Sequence, residues 1–155
     1  MTGQQFDPSA SRAIALAAET LHRFGRLSLR VTGASMLPAL RPGDVLQFES
    51  FNVEYTEPGD VVLYRRDGRM VAHRVLTRTI IGLLTQGDAL AQPDSPVHHD
   101  DVLGRVVGLS RCGRSLSHRR SSRLRDHLSR WLFRRFDLAT GLFLHWQRLS
   151  ARKAA

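Results

Sequence analysis

The order of apolar and polar positions divides the chain into three stretches of different period. Over residues 7–24 the period is helical, with Ile14, Ala17, Ala18 and Leu21 recurring on one face. Asp7 is placed to cap the free amides, Pro8 suits the first helical position and Gly25 is a stop. From about residue 27 to 110 the period falls to two. Leu27, Leu29 and Val31 alternate with polar residues, and Val45, Leu46 and Phe48 follow a Pro42-Gly43-Asp44 turn. A second turn, Pro58-Gly59-Asp60, opens the run Val61 to Tyr64, and Asp67-Gly68 predicts a tight hairpin. Arg69 to Thr79, Ile81 to Thr85 and Val102 to Leu109 predict three further strands. Residues 110–122, rich in Ser, Arg and Gly, read as a linker. Beyond it, over about 118–150, Leu124, Leu128, Trp131 and Leu132 form one helical stripe, and Leu138, Leu142, Trp146 and Leu149 form another. The predicted organisation is an N-terminal helix (1–26), a mainly β domain built as a compact barrel or sandwich (27–110), and a linker with amphipathic helices (111–155).

Charge sharpens that division. Residues 1–110 carry 11 basic and 12 acidic side chains, whereas residues 111–155 carry 12 and 2, so the net charge of +9 belongs to the C-terminal third. The basic, Trp-containing helices fit three roles: lying on an anionic membrane surface, packing on the β domain, or meeting an acidic partner. Nucleic acid is disfavoured, because aromatic residues scarcely interleave with the basic ones and no reading motif is present. The best N-terminal apolar run, Ala13 to Ala18, is followed by Glu19, His22 and Arg23. It falls short of the roughly 20 residues that a span requires. A cytoplasmic location, peripheral to the inner face of the membrane at most, is the expectation. The single cysteine, Cys112, forms no internal disulfide and is read as incidental.

Three short segments carry candidate chemistry. Gly33-Ala34-Ser35-Met36-Leu37-Pro38 sets a serine after a strand, among small residues that leave the backbone open to a substrate carbonyl. Met70-Val71-Ala72-His73-Arg74-Val75 sets a histidine in an apolar strand. Thr85-Gln86-Gly87-Asp88 continues to Asp94 and supplies two carboxylates after a strand. Asp44 and Asp60 read as turn residues. Arg74 is read either as structural or as a partner for an acidic loop residue. His98 and His99 are followed by Asp100 and Asp101, but tandem histidines diverge, so no metal is expected and no cofactor is called for.

In this order the segments resemble the boxes of the signal peptidase family, whose fold is shared with LexA-type self-cleaving repressors. The resemblance covers about residues 29–109. It implies a serine endopeptidase acting on a precursor peptide or protein, with Ser35 as nucleophile, His73 as base and Asp94 as the group that orients it. Asp88, the alternative acid, is read as shaping the Gly87-Asp88 turn. Many bacterial signal peptidases and the LexA-type proteins use a lysine base, but the one lysine here is Lys153. His73-Arg74 resembles instead the signal peptidases of the endoplasmic reticulum and archaea, which pair serine with histidine. Those enzymes are tethered by membrane-spanning helices, and no such helix is expected here. The rival readings are a non-catalytic peptide-binding module on the same fold and a self-cleaving regulator. The latter requires a DNA-reading domain larger than the N-terminal 25 residues provide.

Overall fold

A computed structural model describes residues 8–116. The Asp7 cap, the end of the expected linker from residue 117, and the C-terminal helices with their proposed surface roles lie outside the described residues. The chain opens with helix α1 (Pro8–Phe24) and continues through β1 (Arg26–Arg30), β2 (Val45–Glu49), β3 (Val61–Arg66), β4 (Arg69–Arg78), β5 (Gly82–Gln86), β6 (Val97–His98), β7 (Val102–Arg111) and β8 (Arg114–Leu116). Single 3₁₀ turns at Val53–Tyr55 and His99–Asp101 interrupt the connections. The expected mainly β domain is present as one antiparallel sheet in the order β1-β2-β7-β3-β4-β5-β6, with β8 paired on β7.

Strand β3 is the spine. Val61, Val62, Leu63 and Tyr64 are all buried, because successive side chains point to opposite faces and both faces are covered. Val61 and Leu63 join a cluster with Leu21, Met36, Leu40, Leu46, Phe48 and Val106. Val62 and Tyr64 join a second with Val75, Leu83 and Val97. The helix enters the first cluster through Leu21, and Ala17 is buried on the same face. The alternation read over residues 27–31 holds, since Leu27 and Leu29 pack toward this cluster from β1.

The sheet differs from the sequence reading at two places. Strand β6 is two residues long, too short to leave a period of its own. The other correction concerns the expected linker. Strand β7 runs through Arg111, and β8 pairs Leu116 with Leu109, so residues 110–116 are a hairpin. Its two-residue turn places Cys112 at φ 50° and Gly113 at φ 74°. Two consecutive left-handed residues make the turn whose twist suits a hairpin. Asp67 and Gly68 do the same between β3 and β4. A cysteine at the first such position gave no turn signal. Among the described residues no helix is long and apolar enough to cross a membrane.

Leu21 is 2% exposed and carries α1 into the core. Leu21→Ala is expected to destabilise the domain by about 2–5 kcal/mol, the range for truncating a buried leucine. Chemical denaturation is the measurement, and an unchanged midpoint would show that the helix is not part of the cooperative unit.

Candidate active site

Ser35 lies in the loop between β1 and β2. The neck of the loop is closed by hydrogen bonds from the Val31 amide to the Asp44 carbonyl and from the Gly43 amide to the Val31 carbonyl, both 2.8 Å. Inside it, Met36, Leu37 and Leu40 are buried, two of them in the core cluster that contains Leu21. Burying these residues fixes the loop by ordinary hydrophobic packing and leaves Ser35 half-buried beside exposed Gly33. Asp44 accepts the Arg41 amide at 2.8 Å, as its turn position implies, and also accepts two hydrogen bonds from Arg111, each 2.8 Å. The sequence pattern alone places Arg111 in the linker. Here it clamps the base of the serine loop.

His73 projects from β4 opposite Val62 of β3. It shares that sheet face with Tyr64 and with Thr85 of β5, which pairs with Val75. Asp94 arrives from the loop after β5, held by a 2.8 Å hydrogen bond from its amide to the Thr85 carbonyl. The structure thus brings together Ser35, His73 and Asp94. His73 Nε2 lies 2.9 Å from Ser35 Oγ, and His73 Nδ1 lies 2.8 Å from Asp94 Oδ2. A neutral imidazole that donates Nδ1–H to the carboxylate presents Nε2 as acceptor to the serine hydroxyl.

Two more hydroxyls reach the same carboxylate oxygen, and sequence reasoning missed both. Thr85 donates to Asp94 Oδ2 at 2.7 Å and Tyr64 donates to it at 3.1 Å. Arg66 lies 3.6 Å from the other oxygen. Burial opposes the charge on Asp94, but the hydrogen bonds from His73 and Thr85, the charge that His73 can carry, and the Tyr64 hydroxyl outweigh it and hold the carboxyl below its ordinary value. Burial, reinforced by the neighbouring carboxylate, pushes the Tyr64 phenol far above its ordinary value, so it stays protonated.

Asp88 stands elsewhere. Its carboxylate takes Arg74 Nε at 2.9 Å and Nη2 at 2.7 Å, and Arg74 also donates to the Gly59 carbonyl at 2.8 Å. This settles the two readings of Arg74 in favour of an acidic loop partner, and it gives Asp88 more than a turn to shape. Both ends are buried, at 5% and 3% exposure. Arg74 follows His73 in β4 and so leaves by the opposite face. The residue after Asp88, Ala89, donates its amide to the Ser35 carbonyl at 2.8 Å. The residue before it, Gly87, is held so close that a Cβ there would lie 2.7 Å from that same carbonyl oxygen. A side chain at 87 would push the serine loop away.

Asp60 accepts the Glu57 amide at 3.0 Å, in keeping with its turn position. His98 is exposed in β6, and among the described residues no group of three or more His, Cys, Asp or Glu side chains is arranged to hold a metal ion. Cys112 is exposed in the β7–β8 turn, outside this site.

Asp88→Ala is expected to cost about 3–5 kcal/mol, because it leaves the Arg74 charge buried without its carboxylate. Urea unfolding at neutral pH measures it, and a cost under about 1 kcal/mol would mean that water reaches Arg74 freely. Asp94 provides a pH test. Its folded value is lowered, so its contribution to stability is full above the unfolded carboxylate range, about 3.9, and is lost as pH falls through the lower folded value. The stability gap between the wild type and Asp94→Asn should therefore close on acidification. A gap that widened toward low pH would reverse the assigned direction.

No curated protein matches the chain. A family model does, over residues 2–107, a span that includes the serine loop, the strand bearing His73 and the loop bearing Asp94. The mainly β sheet with its N-terminal helix is consistent with that family's fold, and the chain belongs to the Peptidase S24-like family.

Proposed function

We propose that the chain is a serine endopeptidase similar to the signal peptidases that use a histidine base, and that it cleaves a precursor peptide or protein. The observation that carries this reading is the continuous hydrogen-bonded line from Ser35 Oγ through His73 to Asp94, with links of 2.9 and 2.8 Å. Ser35 Oγ attacks the scissile carbonyl as its proton passes to His73 Nε2. The tetrahedral oxyanion accepts a hydrogen bond from the Ser35 amide, which among the described residues takes part in none of the loop's main-chain hydrogen bonds. Collapse breaks the C–N bond, and the proton on Nε2 leaves with the amine. Water then attacks the acyl ester, again losing a proton to His73, and releases the carboxylic acid and free Ser35. Asp94 stays ionised throughout and stabilises the imidazolium in each half-reaction.

The substrate binds extended, with small side chains beside the cut. Strand β4 favours this. Residues Arg69 to Arg74 pair with β3 on one side, whereas pairing with β5 begins only at Arg74. Among the described residues the main chain from Arg69 to His73 has no strand partner on its other side, next to His73, and a strand of substrate is assigned to that edge.

A fluorophosphonate probe tests the mechanism before the substrate is known. One adduct on Ser35 is expected by intact mass and peptide mapping, lost in Ser35→Ala and strongly slowed in His73→Ala. With a peptide library as substrate, the serine and histidine variants are expected to lose about 10⁴–10⁶-fold in turnover, and Asp94→Ala about 10⁴-fold. Absence of the Ser35 adduct, or undiminished cleavage by folded Ser35→Ala, would sink the proposal. Spontaneous fragmentation of the purified chain, abolished by Ser35→Ala, would identify a self-cleaving regulator instead.

A further inference from the structure

Tyr64 is fully buried, yet its hydroxyl lies amid the candidate site. It is 3.1 Å from Asp94 Oδ2, 3.2 Å from His73 Nδ1 and 3.3 Å from Thr85 Oγ1. Its ring meets the imidazole edge-on, with centroids 6.1 Å apart and planes at 70°. The Arg66 guanidinium sits over the Tyr64 ring, 5.2 Å from its centroid. Hydrophobic packing alone would be served equally well by phenylalanine, whose ring fills the same space. The hydroxyl therefore calls for its own account.

The phenol has one proton, and Asp94 Oδ2 is the acceptor it reaches best. The imidazole Nδ1–H points to that same oxygen, which is nearer to it than the phenol oxygen is, 2.8 Å against 3.2 Å. One carboxylate oxygen thus serves three donors. Each hydroxyl that binds it draws off part of the charge that would otherwise favour a proton on the imidazole. The other groups facing His73 are Ser35 from the serine loop and, through Asp94, Arg66. Arg74 leaves by the opposite face and is matched by Asp88. Among the described residues only the Asp94 carboxylate pairs with the imidazole, so the hydroxyls on it bear on how strongly it favours the imidazolium.

We infer that Tyr64 is a positioning residue that shares Asp94 with His73, with Thr85 in the same role, and thereby tempers the carboxylate's pull on the imidazole and keeps the ring fixed for accepting the serine proton. The inference rests on the Ser35-His73-Asp94 reading for its consequence in catalysis. Its electrostatic content is independent of that reading. Tyr64 is suited to the task because its phenol remains a donor over the whole working range.

The test is the imidazole titration of His73 followed by NMR in the full chain, assigned by comparison with His73→Gln. Tyr64→Phe removes one oxygen and keeps the ring. It is expected to raise the His73 midpoint by about 0.5–1 pH unit, the size set by one hydrogen bond to a charged group. Thr85→Val, a second variant on another strand, is expected to raise it in the same direction. The acid limb of the fluorophosphonate labelling rate should move by the same amount. An unchanged or lowered midpoint in Tyr64→Phe and Thr85→Val would overturn the inference. The titration is read without any turnover, so a chain that fails to label at Ser35 but shows the upward shifts would sink the peptidase reading and leave this one standing.

Discussion

The buried Arg74–Asp88 pair is the constraint on which the arrangement of the site depends. A strand sends adjacent side chains to opposite faces. His73 and Arg74 therefore divide the work of β4, one facing the serine and the other holding the loop that supports the serine's backbone. The guanidinium grips Asp88 with two hydrogen bonds and the Gly59 carbonyl with a third. Gly87 and Ala89, on either side of Asp88, meet the Ser35 carbonyl. The Ser35 to His73 separation is thus set twice, once by the side chains themselves and once by an ion pair behind them. Burying such a pair carries a large desolvation cost, so its worth lies in geometry more than in net stability.

The proposed histidine base accounts for the polar character of the rest of the site. A lysine base must be made neutral, which proteins achieve by removing it from water. An imidazole has an ordinary range near neutrality, about 6.5. It needs orientation and a defined tautomer more than it needs desolvation. Asp94 supplies both, and Tyr64, Thr85 and Arg66 hold Asp94 in turn. A carboxylate that close to a buried, mainly aliphatic cluster is tolerated because its oxygens are satisfied by donors. The hydrophobic face of β3 and the polar site share Tyr64, whose ring belongs to one and whose hydroxyl belongs to the other.

Local signals were sufficient for what is local. The helical period over 7–24, the alternation of the strands, and the Pro-Gly-Asp and Asp-Gly turns depend on neighbours in sequence, and they named α1 and most of the sheet to within a few residues. Ser35, His73 and Asp94 were likewise readable as candidates, since each stands in a short distinctive segment. Strand β6 and the β7–β8 hairpin were not readable. The first is too short for a period, and the second turns on a Cys-Gly pair in an arginine-rich stretch.

What the sequence determined by itself is therefore most of the elements, because periodicity and turn chemistry act over a few residues, together with a short roster of candidate side chains named by their segments. What tertiary structure decided is which of those side chains meet. Asp94 and Asp88 are six positions apart in one loop and indistinguishable by type, yet one faces His73 and the other Arg74. The cause is the parity of β4 together with the fold-back of the loop onto Thr85. Tyr64 and Thr85 read as ordinary strand residues until strand register placed them on one face with His73. Pairing across a sheet joins residues tens of positions apart, and no local pattern records that.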